Sequence, residues 1–480
     1  MTEWETVIGL ECHVELNTET KMFCGCRNAF GAEPNTLTCP VCLGLPGSLP
    51  VPNREAIARI VKIGLALGSR IAPRSLFHRK NYFYPDMPKN YQISQYDLPA
   101  CVGGRLDVQL PDGGSTGVGI TRVHMEEDTG KTTHGSATGR IHDASYALVD
   151  YNRAGVPLVE CVSEPDMRSP AEAAAYLRQL RALLASLDVS DVRMEEGSLR
   201  CDANVSVRPA GTTELGVKVE IKNMNSVRSL ERALTFEVER QVSALEAGQP
   251  LIQETRHWDE DAGATKTMRS KEEAFDYRYF PEPDIPALEP EDAWIDEIRA
   301  TLPELPQARN DRYVRDLGLK PEVARVLVGD RAATVLFEEA VALGAEPAAS
   351  ANWITQDLAG LVNEAGEGKV TAQHVADLVA LVADGTIGGA GAKRALEEAF
   401  ASGDAIADIV ERRGLRQVSD ETELGAVVDR VIAEHPDAAD KIRAGNQSVL
   451  GFLVGQVMKT SGGSANPTLA RELLHRRLSG

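Results

Sequence analysis

The sequence predicts an α+β fold, in which an N-terminal part that contains a β-sheet is followed by two helical parts. Residues 1–294 are dense in Gly, Pro and Asn and contain short runs with the alternation typical of β-strands. From Trp294 onwards the chain is rich in Ala, Leu, Val and Glu at helical spacing, and from Ile406 it indicates a smaller helical module. We therefore predict domains at 1–294, 295–405 and 406–480.

Three segments of the first part alternate strictly between apolar and polar residues. They are residues 10–16, 200–208 and 217–222. Each predicts a strand with one apolar face and one face of charged or amide side chains. The polar faces carry Glu11, His13 and Glu15; Arg200, Asp202, Asn204, Ser206 and Arg208; and Lys218, Glu220 and Lys222.

One helix of the first part has clear signals at its start. Ser169 offers an N-cap, Pro170 suits the first helical position, and Glu172 follows three residues after the cap. An apolar stripe at helical spacing then faces one side. The stripe consists of Leu177, Leu180, Leu184 and Leu187.

The composition limits the classes of partner. The chain has 480 residues, enough for several domains, and its net charge of −20 argues against a bulk electrostatic grip on nucleic acid. Only the tail from Val449 is locally basic, and it carries Lys459, Arg471, Arg476 and Arg477. The first residues contain no signal-type segment and no apolar run is long enough to span a bilayer, so we expect a cytoplasmic protein.

The polar strand faces are the first candidate site. Carboxylates with an imidazole suit Mg²⁺ or Mn²⁺ better than a structural zinc ion, and such a cation most often serves a nucleotide phosphate. Glu160 stands among apolar neighbours, where a buried carboxylate needs a partner or a metal, and residues 124–128 add further acids. Ion pairs and ordinary solvated strands remain the alternative, because spacing alone does not separate the two interpretations.

The cysteines suggest a second site. The spacing CxC, twelve residues, CxxC occurs at Cys24, Cys26, Cys39 and Cys42. Four thiolates so spaced close a tetrahedral structural zinc site, and four unrelated reduced thiols are the alternative. The remaining cysteines are expected to be buried thiols.

Two further segments mix aromatic, amide and cationic residues. Residues 78–92 suit a ligand, a polar channel or a partner surface, and a packed surface loop is the alternative. Residues 254–258, 265–271 and 276–284 suit phosphates or a terminal base, and an irregular strand pair with salt bridges is the alternative. The chain contains no GxxxxGK[ST], GxGxxG or GxSxG motif of the kind that marks phosphate-loop, dinucleotide or α/β-hydrolase enzymes.

Several long motifs occur in the order found in a known family. They are VIGLECHVEL (7–16), RKNYFYPDMPKNYQISQY (79–96), HMEEDTGK (124–131), VECVSEPD (159–166), MEEGSLRCDAN (194–204), DYRYFPEPD (276–284), GFLVGQVMK (451–459) and SGGSANP (461–467). On these motifs the chain resembles, from end to end, the B subunit of the bacterial aspartyl/glutamyl-tRNA amidotransferase.

The resemblance implies a cradle domain with a mainly antiparallel sheet, similar to the catalytic part of glutamine synthetase, then a helical domain and a small tRNA-binding tail. It also implies a heterotrimer with an amidase-type A subunit, which frees ammonia from glutamine, and a small C subunit. The B subunit would use ATP to phosphorylate the side-chain carboxylate of Glu on tRNA(Gln), or of Asp on tRNA(Asn). Ammonia would then displace the phosphate.

The resemblance also implies roles for individual residues. The Mg²⁺ ligands would be Glu11, His13, Glu127, Glu160 and Asp202. Both Glu126 and Glu127 lie in the motif; strand parity groups Glu127 with Val123 and Met125, and we take Glu127 while leaving Glu126 open. Lys80, Tyr82 and Lys89 would border the ammonia channel and the reaction centre, as catalytic residues beside Glu127. The zinc site is not universal in the family, but here all four cysteines are present.

Two other functions remain in view. The first is a non-catalytic tRNA-binding scaffold, against which the carboxylate-rich strand faces argue. The second is a stand-alone ligase of the glutamine synthetase type, against which the two helical C-terminal domains argue. A related archaeal protein carries an inserted domain before its helical part, whereas here Pro283 runs straight into the helical region.

Overall fold

The computed structural model describes residues 3–110, 112–135, 144–270, 277–417, 421–444, 446–461 and 465–479. Lys271, Asp276 and residues 462–464, which belong to segments singled out above, lie outside this range. The chain forms two compact units, Met1–Pro306 and Gln307–Gly480. The predicted α+β class, with a sheet domain followed by helices, is confirmed.

The strands lie in the first unit. They are β1 (Trp4–Glu15), β2 (Arg70–Ile71), β3 (His78–Asn81), β4 (Tyr91–Ser94), β5 (Cys101–Val102), β6 (Arg105–Gln109), β7 (Ser115–Glu127), β8 (Lys131–His134), β9 (Ala147–Asp150), β10 (Pro157–Ser163), β11 (Leu199–Pro209), β12 (Val219–Met224), β13 (Glu254–Asp259), β14 (Ala264–Ser270) and β15 (Phe280–Pro281). The three strands predicted by alternation are found in β1, β11 and β12.

The helices of the first unit are α1 (Arg54–Ala66), α2 (Pro170–Ser186), α3 (Val227–Glu246) and α4 (Asp292–Ala300). Those that follow are α5 (Pro306–Leu317), α6 (Pro321–Val328), α7 (Arg331–Ala342), α8 (Pro347–Asn352), α9 (Ala359–Ala365), α10 (Ala372–Ala383), α11 (Gly389–Ser402), α12 (Ile406–Arg413), α13 (Glu421–Glu434), α14 (Pro436–Arg443), α15 (Leu450–Thr460) and α16 (Pro467–Ser479). A π-helix (Trp353–Leu358) and a 3₁₀-helix (Gln447–Val449) lie between them.

Within the described residues, a ten-stranded sheet forms the centre of the first unit. Its order is β14-β13-β12-β11-β1-β10-β7-β5-β2, and β6 also pairs with β7. Every described pairing in it is antiparallel except that of β12 with β13. The first predicted strand, β1, therefore lies between β10 and β11, which come from distant parts of the chain.

One face of this sheet packs against helices and forms the core. Leu10, Cys12 and Val14 of β1 are fully buried there, because alternation puts all three on the same side of the strand. Helix α2 covers this face and begins as predicted: the Ser169 hydroxyl accepts a hydrogen bond from the Glu172 amide at 3.1 Å. The four leucines of its predicted stripe are each at most about 1% exposed. Burial of one such side chain contributes about 1.5–3 kcal/mol to the stability of the fold.

In the part of the chain that the structure describes, two smaller sheets accompany the main one. Strands β15, β3 and β4 form a three-stranded sheet, and β8 pairs with β9. The three-stranded sheet is joined to β7 by hydrogen bonds that involve β4 and the residue that follows β4. The Met125 amide donates to the Gln95 side chain at 3.1 Å, and the Ile93 amide donates to the Glu127 carboxylate at 2.8 Å. These bonds bring the segment 78–96 beside the end of β7.

The second unit is helical. One of its hydrophobic clusters includes Ile406, Ile409 and Val410 of α12 together with residues of α10 and α11, and another spans residues from Leu424 to Leu478. The domain boundaries at 294/295 and 405/406 stay predictions. Among the described residues, no helix combines the length and the apolarity needed to cross a membrane.

Candidate active site

The second face of the main sheet is polar, and the strand register decides which polar side chains meet. His13 of β1 pairs directly with Glu160 of β10, and Glu160 pairs directly with His124 of β7. On the other side of β1, Glu11 pairs with Asp202 of β11. Directly paired residues share a face of the sheet, so His124, Glu160 and His13 form one cross-strand row. Glu11 and Asp202 form a second row, two residues away along β1.

Three of the polar side chains converge into a compact group. His13, Glu126 and Glu160 each offer a ligand atom, and these atoms all lie within 4.8 Å of one another. His124 completes the group, since its Nε2 atom lies 3.1 Å from Glu160 Oε2 and 3.4 Å from Glu126 Oε1. His13 Nε2 lies 3.5 Å from Glu160 Oε2. We call His13, His124, Glu126 and Glu160 the acidic group.

Both carboxylates of the acidic group are held in the ionised form. Burial by itself would raise their pKa values, but the Lys80 ammonium and His124 lower the pKa of Glu126 to about 2. His124 and His13 likewise hold the pKa of Glu160 well below its usual range, against the effect of burial. In return, and also against burial, Glu126 and Glu160 raise the pKa of His124 to about 9.

Three members of the acidic group, His13, Glu126 and Glu160, fit a hard divalent cation. Carboxylate oxygens with one imidazole nitrogen are donors that Mg²⁺ and Mn²⁺ accept. Two features beside the group also suit a cation. Burial and then the Glu160 charge raise the pKa of Glu11, and Asn204 Oδ1 is buried without a hydrogen bond from any described residue. A cation would stabilise the ionised form of Glu11 and offer this oxygen a partner.

Glu11 and Asp202 lie next to the acidic group but outside its closest cluster. Glu11 accepts a hydrogen bond from the Asn204 amide at 2.9 Å. Asp202 is bound by the Lys222 ammonium at 2.6 Å, and Lys222 also lies 3.0 Å from Glu220. Of the five expected Mg²⁺ ligands, His13 and Glu160 are therefore in the cluster, and Glu11 and Asp202 border it.

Glu127, the fifth expected ligand, is separated from the others. Its carboxylate is bound by the Lys89 ammonium and by the Ile93 amide, and both members of the ion pair are buried. Glu126, and not Glu127, lies in the cluster. There its carboxylate accepts hydrogen bonds from the Ser94 hydroxyl at 2.7 Å and from the Gln92 side-chain amide at 3.1 Å. The structure thus groups Glu126, the alternative left open by the sequence, with His13 and Glu160.

Lys80 and Tyr82 lie along the edge of the acidic group. The Lys80 ammonium is 4.0 Å from Glu126 Oε1 and 5.2 Å from the centre of the Tyr277 ring. The Tyr82 ring meets the Tyr277 ring edge to face at 6.3 Å between centroids. Burial and then the nearby Asp86 raise the pKa of the Tyr82 hydroxyl, so this phenol is protonated at neutral pH.

The four clustered cysteines form a second centre. Cys42 Sγ lies 3.6 Å from that of Cys24, 3.7 Å from that of Cys39 and 3.8 Å from that of Cys26. A tetrahedral zinc site with Zn–S bonds of about 2.3 Å has sulfur–sulfur edges of about 3.8 Å. The sulfur positions therefore fit a four-thiolate zinc site.

Comparisons with known proteins agree with this arrangement. A family profile described as "GatB/GatE catalytic domain" matches residues 6–296, and one described as "GatB domain" matches residues 335–478. A protein of Moorella thermoacetica, named as the B subunit of an aspartyl/glutamyl-tRNA(Asn/Gln) amidotransferase, is 54% identical over 99% of this chain and 100% of its own. Proteins of the same name from Anaeromyxobacter sp. strain K and Halorhodospira halophila are 54% and 51% identical, each over 100% of this chain and 99% and 100% of their own.

The chain belongs to the GatB/GatE family. The resemblance inferred from the motifs is thereby confirmed. Within this GatB/GatE chain, the matched catalytic domain contains the acidic group, the four clustered cysteines and the segment 78–96.

A buried lysine of this GatB/GatE chain joins its cysteine centre to neighbouring segments. The Lys21 side chain is fully buried, and its ammonium donates to the Leu37 carbonyl at 2.7 Å and to the Tyr151 carbonyl at 3.3 Å. It also lies 3.6 Å from Cys42 Sγ. An ammonium in this position offsets part of the negative charge of a thiolate cluster, as outer-shell groups of metal sites do.

Three residues at the site of this GatB/GatE chain were not predicted as site residues from the sequence: His124, Gln92 and Ser94. A signal existed for His124, because it alternates with Glu126 in the acidic motif and two such neighbours share a strand face. Gln92 lies within the segment 78–92 that was singled out from the sequence, and Ser94 lies two residues beyond it, but nothing local pointed to either residue in particular. They reach the site only because β4 lies beside β7.

Proposed function

We propose that this chain is the B subunit of a glutamine-dependent tRNA amidotransferase that converts Glu-tRNA(Gln), Asp-tRNA(Asn) or both to the amidated forms with ATP. The relatives' names describe this substrate class, and full-length identity near 50% supports a shared reaction. The observation that carries the proposal is the acidic group, in which ionised Glu126 and Glu160 converge with His13 next to the Lys80 cation. A scaffold without catalysis would have no need of such a cluster.

The chemistry explains why a nucleotide is required. A carboxylate is a poor acyl donor, so an oxygen of the substrate carboxylate would first form a bond to the γ-phosphorus of ATP while ADP leaves. Ammonia would then attack the acyl carbon through its lone pair, lose a proton and expel inorganic phosphate. The net change is one amide formed and one ATP cleaved to ADP and phosphate.

Residues of this chain have separate roles in that scheme. His13, Glu126 and Glu160 would hold Mg²⁺, with Glu11 and Asp202 within reach on the neighbouring strands. Bound Mg²⁺ supplies positive charge that screens two anions during phosphoryl transfer. The Lys80 ammonium, held at the edge of the acidic group, attracts the transferred phosphoryl group and keeps it oriented.

A cavity beside the acidic group suits part of the nucleotide. It has a volume of about 210 Å³, and its lining includes Glu11, Asn204, Ser206 and Lys218. Gly9 also lines it and keeps one wall free of side chain. We assign this cavity to ATP because its lining combines a cation and neutral hydrogen-bonding groups with Glu11, which borders the proposed Mg²⁺ ligands.

The proposal includes partners and further parts of the chain. Ammonia would come from an amidase-type A subunit, a small C subunit would complete the heterotrimer, and assembly in the cytoplasm follows from the substrates. Residues 1–294 would form the catalytic cradle, with zinc bound in the 24–42 insertion. Residues 295–405 would form a helical domain, and residues 406–480 would bind tRNA. Lys80, Tyr82, Lys89 and Glu127 would border the path by which ammonia arrives.

The deciding experiment measures ATP cleavage by the reconstituted heterotrimer, with Glu-tRNA(Gln) present or absent. Ammonium replaces glutamine, so the partner's glutaminase does not enter the assay. Cleavage should depend on the charged tRNA, and both Glu160→Gln and Asp202→Asn should abolish it while tRNA binding persists. If both variants cleave ATP at the wild-type rate, the metal assignment fails and the scaffold function replaces it.

A further inference from the structure

Lys89 is enclosed by both ends of the four-cysteine segment. Phe23, which immediately precedes Cys24, lies under the ammonium with 5.9 Å between Lys89 Nζ and the ring centre. Gly44, two residues after Cys42, lies against the aliphatic stem of the same lysine. The ammonium at the end of the Lys89 side chain binds Glu127, and this ammonium is the group proposed to lie beside the reaction centre.

The contact at Gly44 leaves no room for a side chain. A Cβ atom there would lie 2.6 Å from Lys89 Cγ and 3.1 Å from Lys89 Cα, which is closer than packed atoms approach. Gly44 also has φ of +64°, in the left-handed region. The lysine stem thus packs directly on bare backbone of the cysteine segment.

The same turn carries two of the four thiols. The Leu43 amide donates to the Cys39 carbonyl at 3.1 Å, and the Gly44 amide donates to the Val41 carbonyl at 3.2 Å. These bonds fix Cys39 and Cys42 on one short turn that ends at Gly44. The position of Gly44 therefore follows the position of the thiols.

Hydrogen bonds anchor the segment at points before this turn, where the Asn35 amide donates to Asp150 at 2.9 Å and the Leu37 amide donates to Asn152 at 2.8 Å. Residues 21–52 contain no helix, and no strand longer than an isolated bridge. Where a segment lacks regular structure, a bound metal that joins four side chains adds a link between parts of it that are distant in sequence. The four sulfur atoms, 3.6–3.8 Å apart around Cys42, are placed to provide that link.

We propose that the four-cysteine segment is a positioning device for Lys89, in which bound metal holds Gly44 and Phe23 against the lysine and so keeps its ammonium on Glu127. This inference rests on the proposed metal occupancy of the cysteines and on the proposed place of Lys89 beside the reaction centre. The metal centre then acts on the reaction through Lys89 and not merely on the stability of the fold.

The test follows the chemical accessibility of the Lys89 amine in the full-length chain within its complex. An N-hydroxysuccinimide acetate labels lysines, and peptide mass spectrometry gives the rate at Lys89 and, as an internal reference, at Lys62. Zinc content is measured separately by elemental analysis. The variants are Gly44→Ala and, as matched control, Gly47→Ala, since Gly47 also has positive φ (+85°) but its added Cβ would meet no atom within 4 Å.

We expect Lys89 to be labelled about tenfold faster in Gly44→Ala than in wild type, because the substitution forces one methyl group into a filled site. The zinc content and the labelling rate of Lys62 should be unchanged. Gly47→Ala should match wild type. Removing zinc with 1,10-phenanthroline should also speed labelling of Lys89, and adding zinc back should restore the slow rate.

The inference is overturned, while the metal assignment stands, if the labelling rate of Lys89 is unchanged in Gly44→Ala. The same holds if that rate is unchanged after removal of zinc that elemental analysis had found in the chain. A wild-type chain that binds no zinc overturns both, and the elemental analysis separates the two cases. Neither readout requires catalysis, so failure of the proposed reaction would be seen separately, in the ATP-cleavage assay.

Discussion

His124 of β7 and Glu160 of β10 are direct cross-strand partners, with 3.1 Å between His124 Nε2 and Glu160 Oε2. On the opposite side of Glu160, His13 of β1 is its other cross-strand partner, with 3.5 Å between His13 Nε2 and Glu160 Oε2. Glu160 therefore lies between two imidazoles on the middle of three adjacent strands. This arrangement explains how a carboxylate with apolar neighbours in sequence is stabilised before a cation binds.

The adjacent residues Glu126 and Glu127 should differ in the effect of losing their charge. Glu126→Gln keeps hydrogen-bonding groups for Ser94 and Gln92 but removes a ligand charge, so tRNA-dependent ATP cleavage should fall by about a hundredfold or more. Glu127→Gln should instead lower the free energy of unfolding by about 3–5 kcal/mol, because it leaves the buried Lys89 ammonium without a counter-charge.

Steady-state kinetics and urea unfolding of the two variants check this pair of expectations. Loss of ATP cleavage in a Glu127→Gln variant of wild-type stability, together with wild-type cleavage in Glu126→Gln, would reverse the assignment and restore Glu127 as the ligand.

Cation binding should be measurable without any reaction. We expect Mn²⁺ titrated into the complex, followed by its electron paramagnetic resonance signal, to bind the wild-type chain and to bind Glu160→Gln at least about tenfold more weakly, because one charged ligand is lost. Glu195→Gln removes an exposed carboxylate elsewhere and serves as the control. Equal Mn²⁺ affinity in all three proteins would show that the acidic group is an ion-pair network and not a metal site.

Zinc content should depend on the clustered cysteines alone. Cys39→Ser replaces one thiolate with a poorer ligand and should lower the zinc stoichiometry from about one per chain to well below half. Cys161→Ala removes a buried thiol on the core face of the sheet and should leave the stoichiometry at the wild-type value. Elemental analysis of the purified proteins makes the comparison. Full zinc in Cys39→Ser would mean that the metal is bound elsewhere.

The basic tail should contribute electrostatic contacts to tRNA. Lys459 and Arg471 are exposed on α15 and α16, and the double substitution to Ala should weaken tRNA binding and reduce the slope of log affinity against log salt by about two. Arg443→Ala removes an exposed charge from α14 and is the matched control. Filter binding at several salt concentrations provides the slopes. An unchanged slope in the double variant would exclude phosphate contacts at these two residues.

Local patterns determined much of the fold and part of the site. Alternation in β1, β11 and β12 identified the polar faces, because side chains of a strand point to opposite sides with a period of two. The helix N-cap at Ser169 could be predicted from the sequence because it depends on neighbours within three residues. The spacing of the cysteines was likewise sufficient to predict the cluster that the sulfur positions now form.

The choice between Glu126 and Glu127 shows where local patterns stop. Parity correctly grouped Glu127 with Val123 and Met125, and both of these lie in the hydrophobic core. Because Val123 and Met125 are apolar, this grouping places Glu127 on their face of β7 and Glu126 on the polar face with His124. Parity does not say which strands lie beside that polar face, and it was pairing with β10 that brought Glu126 to His13 and Glu160 while Glu127 met Lys89.

Composition, short motifs and periods within single elements were sufficient to predict the fold class, the family and the kinds of side chain at the site. Which of those side chains meet depends on contacts between distant parts of the chain. His13, Glu126 and Glu160 lie on three strands brought together by pairing between distant segments, and the register of that pairing depends on hydrogen bonds and packing across the whole sheet.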